Sequence, residues 1–285
     1  MLDLHYLTQQ LIQPRPRHSH KGTFGRVLLI GGLSPYEGAI ILTSLACVNS
    51  GAGLITVATE PTNISALHAH LPEAMAFSVD DTELLLAKLR ESDLVLIGPG
   101  LGEDSRAKQI LSLTLTNISQ EQILVLDGSA LNLIAQSQNM TFPTKQVVLT
   151  PHQKEWERLS GTPISEQNPT SIRLALSNYP SGLILVAKSH QTAIYQAGKV
   201  DRAQLTIGGP HQATGGMGDT LAGMIAGFAV QFRDYSLFER VCAATYLHSY
   251  IADHLADKYY IVRPSQISAA IQSTMQQFCQ AKTSF

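Results

Sequence analysis

Short apolar runs alternate with longer stretches of helical periodicity along most of this chain. The runs are 26–32, 54–59, 94–98, 123–127, 147–150 and 183–187. Several are continuously apolar, as strands covered by helices on both faces are. Between them, 39–50, 82–91, 105–116, 130–136 and 165–177 have helical character. This alternation predicts an α/β fold: a three-layer α/β/α sandwich around a mostly parallel central sheet, with right-handed crossovers. Past residue 187 the pattern changes. Segment 191–196 follows the preceding run after only a few residues, and Gly198 and Asp201 offer turn chemistry, so a hairpin is expected. Three long helical patterns, 217–232, 237–257 and 264–281, finish the chain. Residues 1–20 read as an entry segment that the core does not need, and 21–285 as one domain, because no composition shift marks a linker.

Composition narrows the class of protein. Of 285 residues, 44% are hydrophobic, enough for a large core, while 15% are charged, against a usual ~25%. Lys+Arg 20 against Asp+Glu 22 leaves a net charge of −2. Nucleic-acid binding would need a basic footprint that is missing here. So little unbalanced charge does not keep copies apart, and self-association is expected. Cys47, Cys242 and Cys279 are far apart and form no CxxC pair, as thiols of a reducing compartment. Residues 1–17 hold acidic Asp3 and a Pro-Arg-Pro stretch where a signal peptide would be apolar. The longest apolar stretch, 221–230, contains glycines and is too short for a bilayer. A cytoplasmic protein without membrane contact is therefore expected.

In open α/β sheets ligands bind beyond the carboxyl ends of the strands. Gly31-Gly32, Gly98-Pro99-Gly100-Leu101-Gly102, Asp127-Gly128-Ser129 and Thr150-Pro151-His152 each follow a predicted strand. Any one of them is an ordinary tight turn; together they mark one sheet edge as a site. The strongest local signal is Ala213-Thr214-Gly215-Gly216-Met217-Gly218-Asp219-Thr220, leading into an apolar helix. Its glycines leave backbone N–H groups unhindered, and the helix N-terminus adds a positive dipole end, which makes an anion site. No Gly-Lys-Ser/Thr follows, as in a Walker loop, and no βαβ unit, as in a dinucleotide fingerprint. A carboxylate such as Asp219 in a first helical turn is favoured by the dipole alone. Beside a phosphate cradle it is a candidate general base. Asp127 reads either as the cap of the next helix or as part of the site.

Further motifs occur in order: His20-Lys21-Gly22-Thr23-Phe24-Gly25, Gly38-Ala39, Ser50-Gly51-Ala52-Gly53, and Glu155 after Thr150-Pro151-His152. With these the chain resembles the ADP/ATP-dependent (S)-NAD(P)H-hydrate dehydratases of the ribokinase-like superfamily, from about residue 20 to the C-terminal helices. The resemblance implies a ribokinase-like fold and a metabolite-repair enzyme, a carbon–oxygen lyase. Reduced nicotinamide cofactors hydrate at C6; the family phosphorylates that hydroxyl and eliminates phosphate. ADP, giving AMP, is the usual donor in bacterial members and ATP in eukaryotic ones, with Mg²⁺. It further implies Asp219 as base, with the N–H groups of Gly216, Met217 and Gly218 over the transferring phosphoryl. Lys188, Ser189, His190, Gln191 and Thr192 match the family's nucleotide segment, joined by Gly218. Ala39, Gly102, His152 and Asp219 match positions that hold the hydrated dinucleotide. Glu155 is a candidate for Mg²⁺ through water, and equally a surface helix carboxylate. His20 and Lys21 either serve dinucleotide phosphates or stiffen the entry loop. The expected assembly is a homotetramer, working with a separate NAD(P)H-hydrate epimerase.

The chain departs from the family pattern at four places. Met217 replaces Thr in the glycine turn, Ser189 replaces Gly after Lys188, Gly209 stands where Asn is common, and Ser129 interrupts an Asp-Ala-Asp-type stretch. These touch donor preference more than reaction class. Two other functions share the anion turn and stay open on sequence alone: a ribokinase-like kinase of a small alcohol or vitamin precursor, and a non-catalytic nucleotide sensor.

Overall fold

The computed structural model describes residues 2–137 and 142–280. Nine strands form one sheet: β1 (Arg26–Ile30), β2 (Leu54–Thr59), β3 (Met75–Ser78), β4 (Leu94–Ile97), β5 (Ile123–Leu126), β6 (Val147–Leu149), β7 (Ile184–Ala187), β8 (Ala193–Gln196) and β9 (Arg202–Gln204). Their order is β3-β2-β1-β4-β5-β6-β7-β8-β9. Strands β1 to β7 pair in parallel; β8 and β9 add antiparallel hairpins at one edge. The helices are α1 (Leu4–Leu11), α2 (Glu37–Asn49), α3 (Ile64–His70), α4 (Thr82–Glu91), α5 (Ser105–Asn117), α6 (Ser129–Ala135), α7 (Gln153–Ser160), α8 (Pro169–Leu176), α9 (Met217–Val230), α10 (Leu237–Ala256) and α11 (Pro264–Gln280). Val27 and Leu29 of β1 join the core formed with α1, α2, α9, α10 and α11, while Leu28 and Ile30 join the core formed with α4 to α8. Burial on both faces is why these runs lack alternation. The α/β sandwich and the hairpin after β7 match expectation. Among the described residues, no helix is long and apolar enough to cross a membrane.

The entry segment is a correction. Leu4, Leu7, Leu11 and Ile12 are buried in the core, and α1 packs on α10. Asp3 caps α1 by accepting from the Tyr6 N–H at 2.9 Å. Elements also form where none was expected, namely β3, α3, α7 and β9. The pattern 165–177 resolves into a short 3₁₀ turn (Ile164–Glu166) and α8, which Asn168 caps and Pro169 opens. Helix α11 runs to Gln280; Ala281, where the pattern was expected to end, lies outside the described residues.

Helix α9 is buried from Thr220 to Val230 and runs against α2. A side chain at Gly223 would collide with the Thr43 carbonyl, and one at Gly227 with Ser50. This close approach fixes the start of α9 at the carboxyl edge of the sheet.

Candidate active site

The turns after β1, β4, β5 and β6 share one sheet edge because their strands are parallel. They interlock through backbone. Gly32 N–H donates to the Pro99 carbonyl at 2.9 Å, and Leu33 N–H to that of Gly100 at 2.7 Å. Gly98 has φ +130° and lies so close to the Asp127 carbonyl that any side chain would collide. Gly102 N–H donates to Ser129 Oγ at 3.2 Å, so the departure at Ser129 supplies an acceptor that joins two loops. Ala39 lies in the first turn of α2 on the same edge.

Asp127 directly follows β5 and is buried. It does not cap α6, whose N-cap is Gly128 with no side-chain bond. Its Oδ1 accepts from Thr150 Oγ1 at 2.5 Å and from Lys188 Nζ at 2.9 Å. Lys188 follows β7, and its N–H donates to the Pro151 carbonyl at 2.9 Å. A Cβ built on Gly218 would stand 3.2 Å from Lys188 Nζ, so the ammonium lies against the first turn of α9. Gly216 caps that helix in the left-handed region, at φ +88°. The N–H groups of the first turn lack intrahelical acceptors by position and can bind an anion.

Asp219 stands in the same turn. Burial pushes its carboxyl up to about 6; the charge of Asp127 adds to this and that of Lys188 opposes it. Burial works against the Lys188 ammonium, but Asp127, Glu155 and Asp219 outweigh it and hold its pKa above the usual lysine value. His152 caps α7: its Nδ1 accepts from the N–H groups of Lys154 and Glu155 at 3.1 and 3.2 Å, and Glu155 Oε2 accepts from His152 N–H at 2.7 Å. Burial, then the charge of Lys188, lowers the His152 pKa below the usual histidine value. Glu155 is buried, not a surface carboxylate, and burial pushes it up to about 7.

Beyond this cluster lies a cleft of about 700 Å³. Lys188, Ser189, His190 and Thr192 line one side, and Ile207, Pro210, Met217 and Leu221 give it apolar walls. Ser189 Oγ accepts from Gln191 N–H at 3.1 Å and Thr192 Oγ1 donates to the Ser189 carbonyl at 3.1 Å, so the serine that replaces glycine ties the turn together. Met217, replacing Thr, lines the cleft and packs against the core. Gly209 lines the same cleft.

The sequence-predicted residues thus divide. Lys188, Gly218 and Asp219 meet at the start of α9, with His152 and Glu155 beside Lys188. Ala39 and Gly102 sit on loops of the same edge. His20 and Lys21 are at the opposite edge, before β1, where His20 Nδ1 accepts from Gly22 N–H and Thr23 Oγ1 from His20 N–H. These bonds tie His20 into the loop, and Lys21 opens the 3₁₀ turn that follows it. Sequence reasoning missed Thr150 as a partner of Asp127. It also missed His248, a buried α10 histidine on the cleft that burial depresses to about 4. A lone histidine in an apolar helix carries no signal of its own.

Fold and site together define a ribokinase-like protein. A ribokinase-like superfamily protein from Enterococcus faecalis is 44% identical in sequence, with a TM-score of 0.92, over 97% of this chain and 95% of that one. The family model described as NAD(P)H-hydrate dehydratase matches residues 27–273, and the chain belongs to that family. The ADP-dependent (S)-NAD(P)H-hydrate dehydratase of Streptococcus thermophilus is 58% identical over 269 residues, 94% of this chain and 96% of the relative. An ADP/ATP-dependent NAD(P)H-hydrate dehydratase from Bacillus subtilis, co-crystallised with ATP/Mg²⁺, is 26% identical with a TM-score of 0.81, over 96% of this chain and 97% of that one.

Proposed function

We infer that this chain is an ADP-dependent dehydratase that returns (6S)-NAD(P)H hydrate to NAD(P)H. The observation that carries the reading is the convergence of Asp219, Lys188 and the open N–H groups of α9 at one point, in a chain 58% identical to a relative of that activity. In the proposed chemistry the C6 oxygen attacks the terminal phosphorus of ADP and the phosphorus–oxygen bond to AMP breaks. Asp219 accepts the hydroxyl proton. Phosphate then departs from C6 with loss of a neighbouring proton, which restores the ring double bond. Phosphoryl transfer asks mainly for positioning and charge stabilisation. Gly216, Met217 and Gly218 offer N–H groups to the phosphoryl oxygens. The segment Lys188, Ser189, His190, Gln191 and Thr192 holds the nucleotide, with its base in the apolar cleft. Ala39, Gly102, His152 and Asp219 hold the hydrate.

Among the described residues no group of three or more His, Cys, Asp or Glu side chains is arranged to hold a metal. Mg²⁺ commonly binds through one or two carboxylates, waters and substrate phosphates, and the buried Glu155 beside Lys188 suits that mode. Glu155 would hold the ion through water; the ion would neutralise charge on the phosphates. The reading includes one ribokinase-like domain, which the unbroken sheet supports, a homotetramer, a cytoplasmic setting and a separate epimerase as functional partner.

The test is incubation of hydrated NADH with ADP or ATP and Mg²⁺, following dihydronicotinamide absorbance and phosphate. Recovery of both with nucleotide only is expected. A stable phosphate ester would instead identify a kinase, and binding without turnover a sensor.

A further inference from the structure

The chemistry above leaves Asp127 without a task. The residue is 2% exposed at the end of β5, and a buried carboxylate is retained only with partners. Its partners come from the two neighbouring strands: Thr150 follows β6 and Lys188 follows β7. One carboxylate oxygen therefore ties three successive strand ends together. A lysine stem has four rotatable carbons and a solvated end when free; this one is only 19% exposed and anchored at its ammonium. An ammonium has three donors. Asp127 takes one of them, from the side of the sheet, while Nζ stands against Gly218 at the head of α9.

We propose that Asp127 and Thr150 are positioning residues that pin Lys188 Nζ against the α9 turn, so that its charge meets the phosphoryl group during transfer. The inference rests on the dehydratase reading of the same site. Lys188 stays protonated throughout: the oxygen–phosphorus bond forms at C6, the bond to AMP breaks, and the hydroxyl proton goes to Asp219. A loose phosphoryl transition state spreads charge over its equatorial oxygens, and a donor already in place stabilises it without reorganising. The bound nucleotide before transfer also has the N–H groups of α9 and the 189–192 turn. Unpinning Lys188 therefore lowers kcat far more than it raises KM.

The experiment uses the full chain with hydrated NADH, ADP and Mg²⁺, and the variants Asp127→Asn, Lys188→Met and the double variant. Asp127→Asn is expected to lower kcat about 10–100-fold, below the ~10²–10³ for outright loss of an oxyanion donor, with KM for ADP within about threefold. The double variant is expected to be no slower than Lys188→Met alone, because the two residues act as one unit. Wild-type kcat in Asp127→Asn, a change confined to KM, or losses that multiply in the double variant would each overturn the proposal. If Asp127→Asn lacks a wild-type thermal transition, Thr150→Ser and Thr150→Val carry the test. Serine keeps the hydroxyl and should retain kcat while valine loses it; equal values overturn the proposal. A wild-type chain that binds ADP yet restores no absorbance overturns the dehydratase reading and this one with it. A wild-type chain that turns over beside an unimpaired Asp127→Asn overturns this one alone.

Discussion

Asp219 carries two opposing demands. Its proposed work requires the ionised form, yet burial holds its carboxyl up at about 6. Turnover should therefore rise with pH through about 6. Stability runs the other way. The folded pKa lies above the ordinary 3.8, so between these values the folded chain holds a proton that the unfolded chain has lost. The contribution of this group is best below the ordinary value and falls as pH rises through about 6. Asp219→Asn removes the buried charge, and at pH 8 it should stabilise the fold by on the order of 1–3 kcal/mol while lowering kcat ~10²–10⁴-fold. Thermal unfolding and turnover at that pH check both; wild-type turnover would rule out the base. Gly218 is sensitive for another reason. It is helical, and a φ in the left-handed region belongs to Gly216 instead. Gly218→Val would drive a side chain toward Lys188 Nζ, 3.2 Å from the built Cβ. Weaker ADP binding, read by calorimetry, is expected along with lost turnover.

At the level of elements, α9 is both a core helix and the carrier of the anion turn. Gly223→Val would press on the Thr43 carbonyl of α2. Overpacking of this kind costs about 1–3 kcal/mol or more, and here it also displaces the turn, so urea unfolding and turnover should both suffer. Helix α1 tests the value of the N-terminal segment. Leu11 is 0% exposed, and Leu11→Ala should destabilise by about 2–5 kcal/mol in the same measurement. An effect near zero would mean that the core does not need α1 after all. The signal for α1 was present in Leu4, Leu7 and Leu11 at helical spacing. By contrast β3 and β9 are four and three residues long, too short for period to speak.

At the scale of the whole molecule, the site draws on the ends of β1, β4, β5, β6 and β7 and on the start of α9, so its rigidity is that of the sheet. The low charge of the chain, 15% with a net of −2, leaves little repulsion between copies. Light scattering at micromolar concentration should give a tetramer mass; a monomer mass would refute that assembly.

The alternation of strands and helices, the gathering of polar turns at the carboxyl edge, and the glycine turn before Asp219 were all legible along the chain. Each of these is written in residues adjacent along the chain, where burial on two faces, missing side chains and the helix dipole act locally. Folding was needed to show that Asp127 pairs with Lys188, 61 residues away, and with Thr150, 23 away, and does not cap α6. It likewise put His20 and Lys21 at the far edge and His248 on the cleft. Such pairings depend on strand order: β5, β6 and β7 are neighbours in the sheet, and that adjacency brings three strand ends within hydrogen-bond reach. No local pattern encodes it, because the three residues lie on separate strand–helix units of the chain.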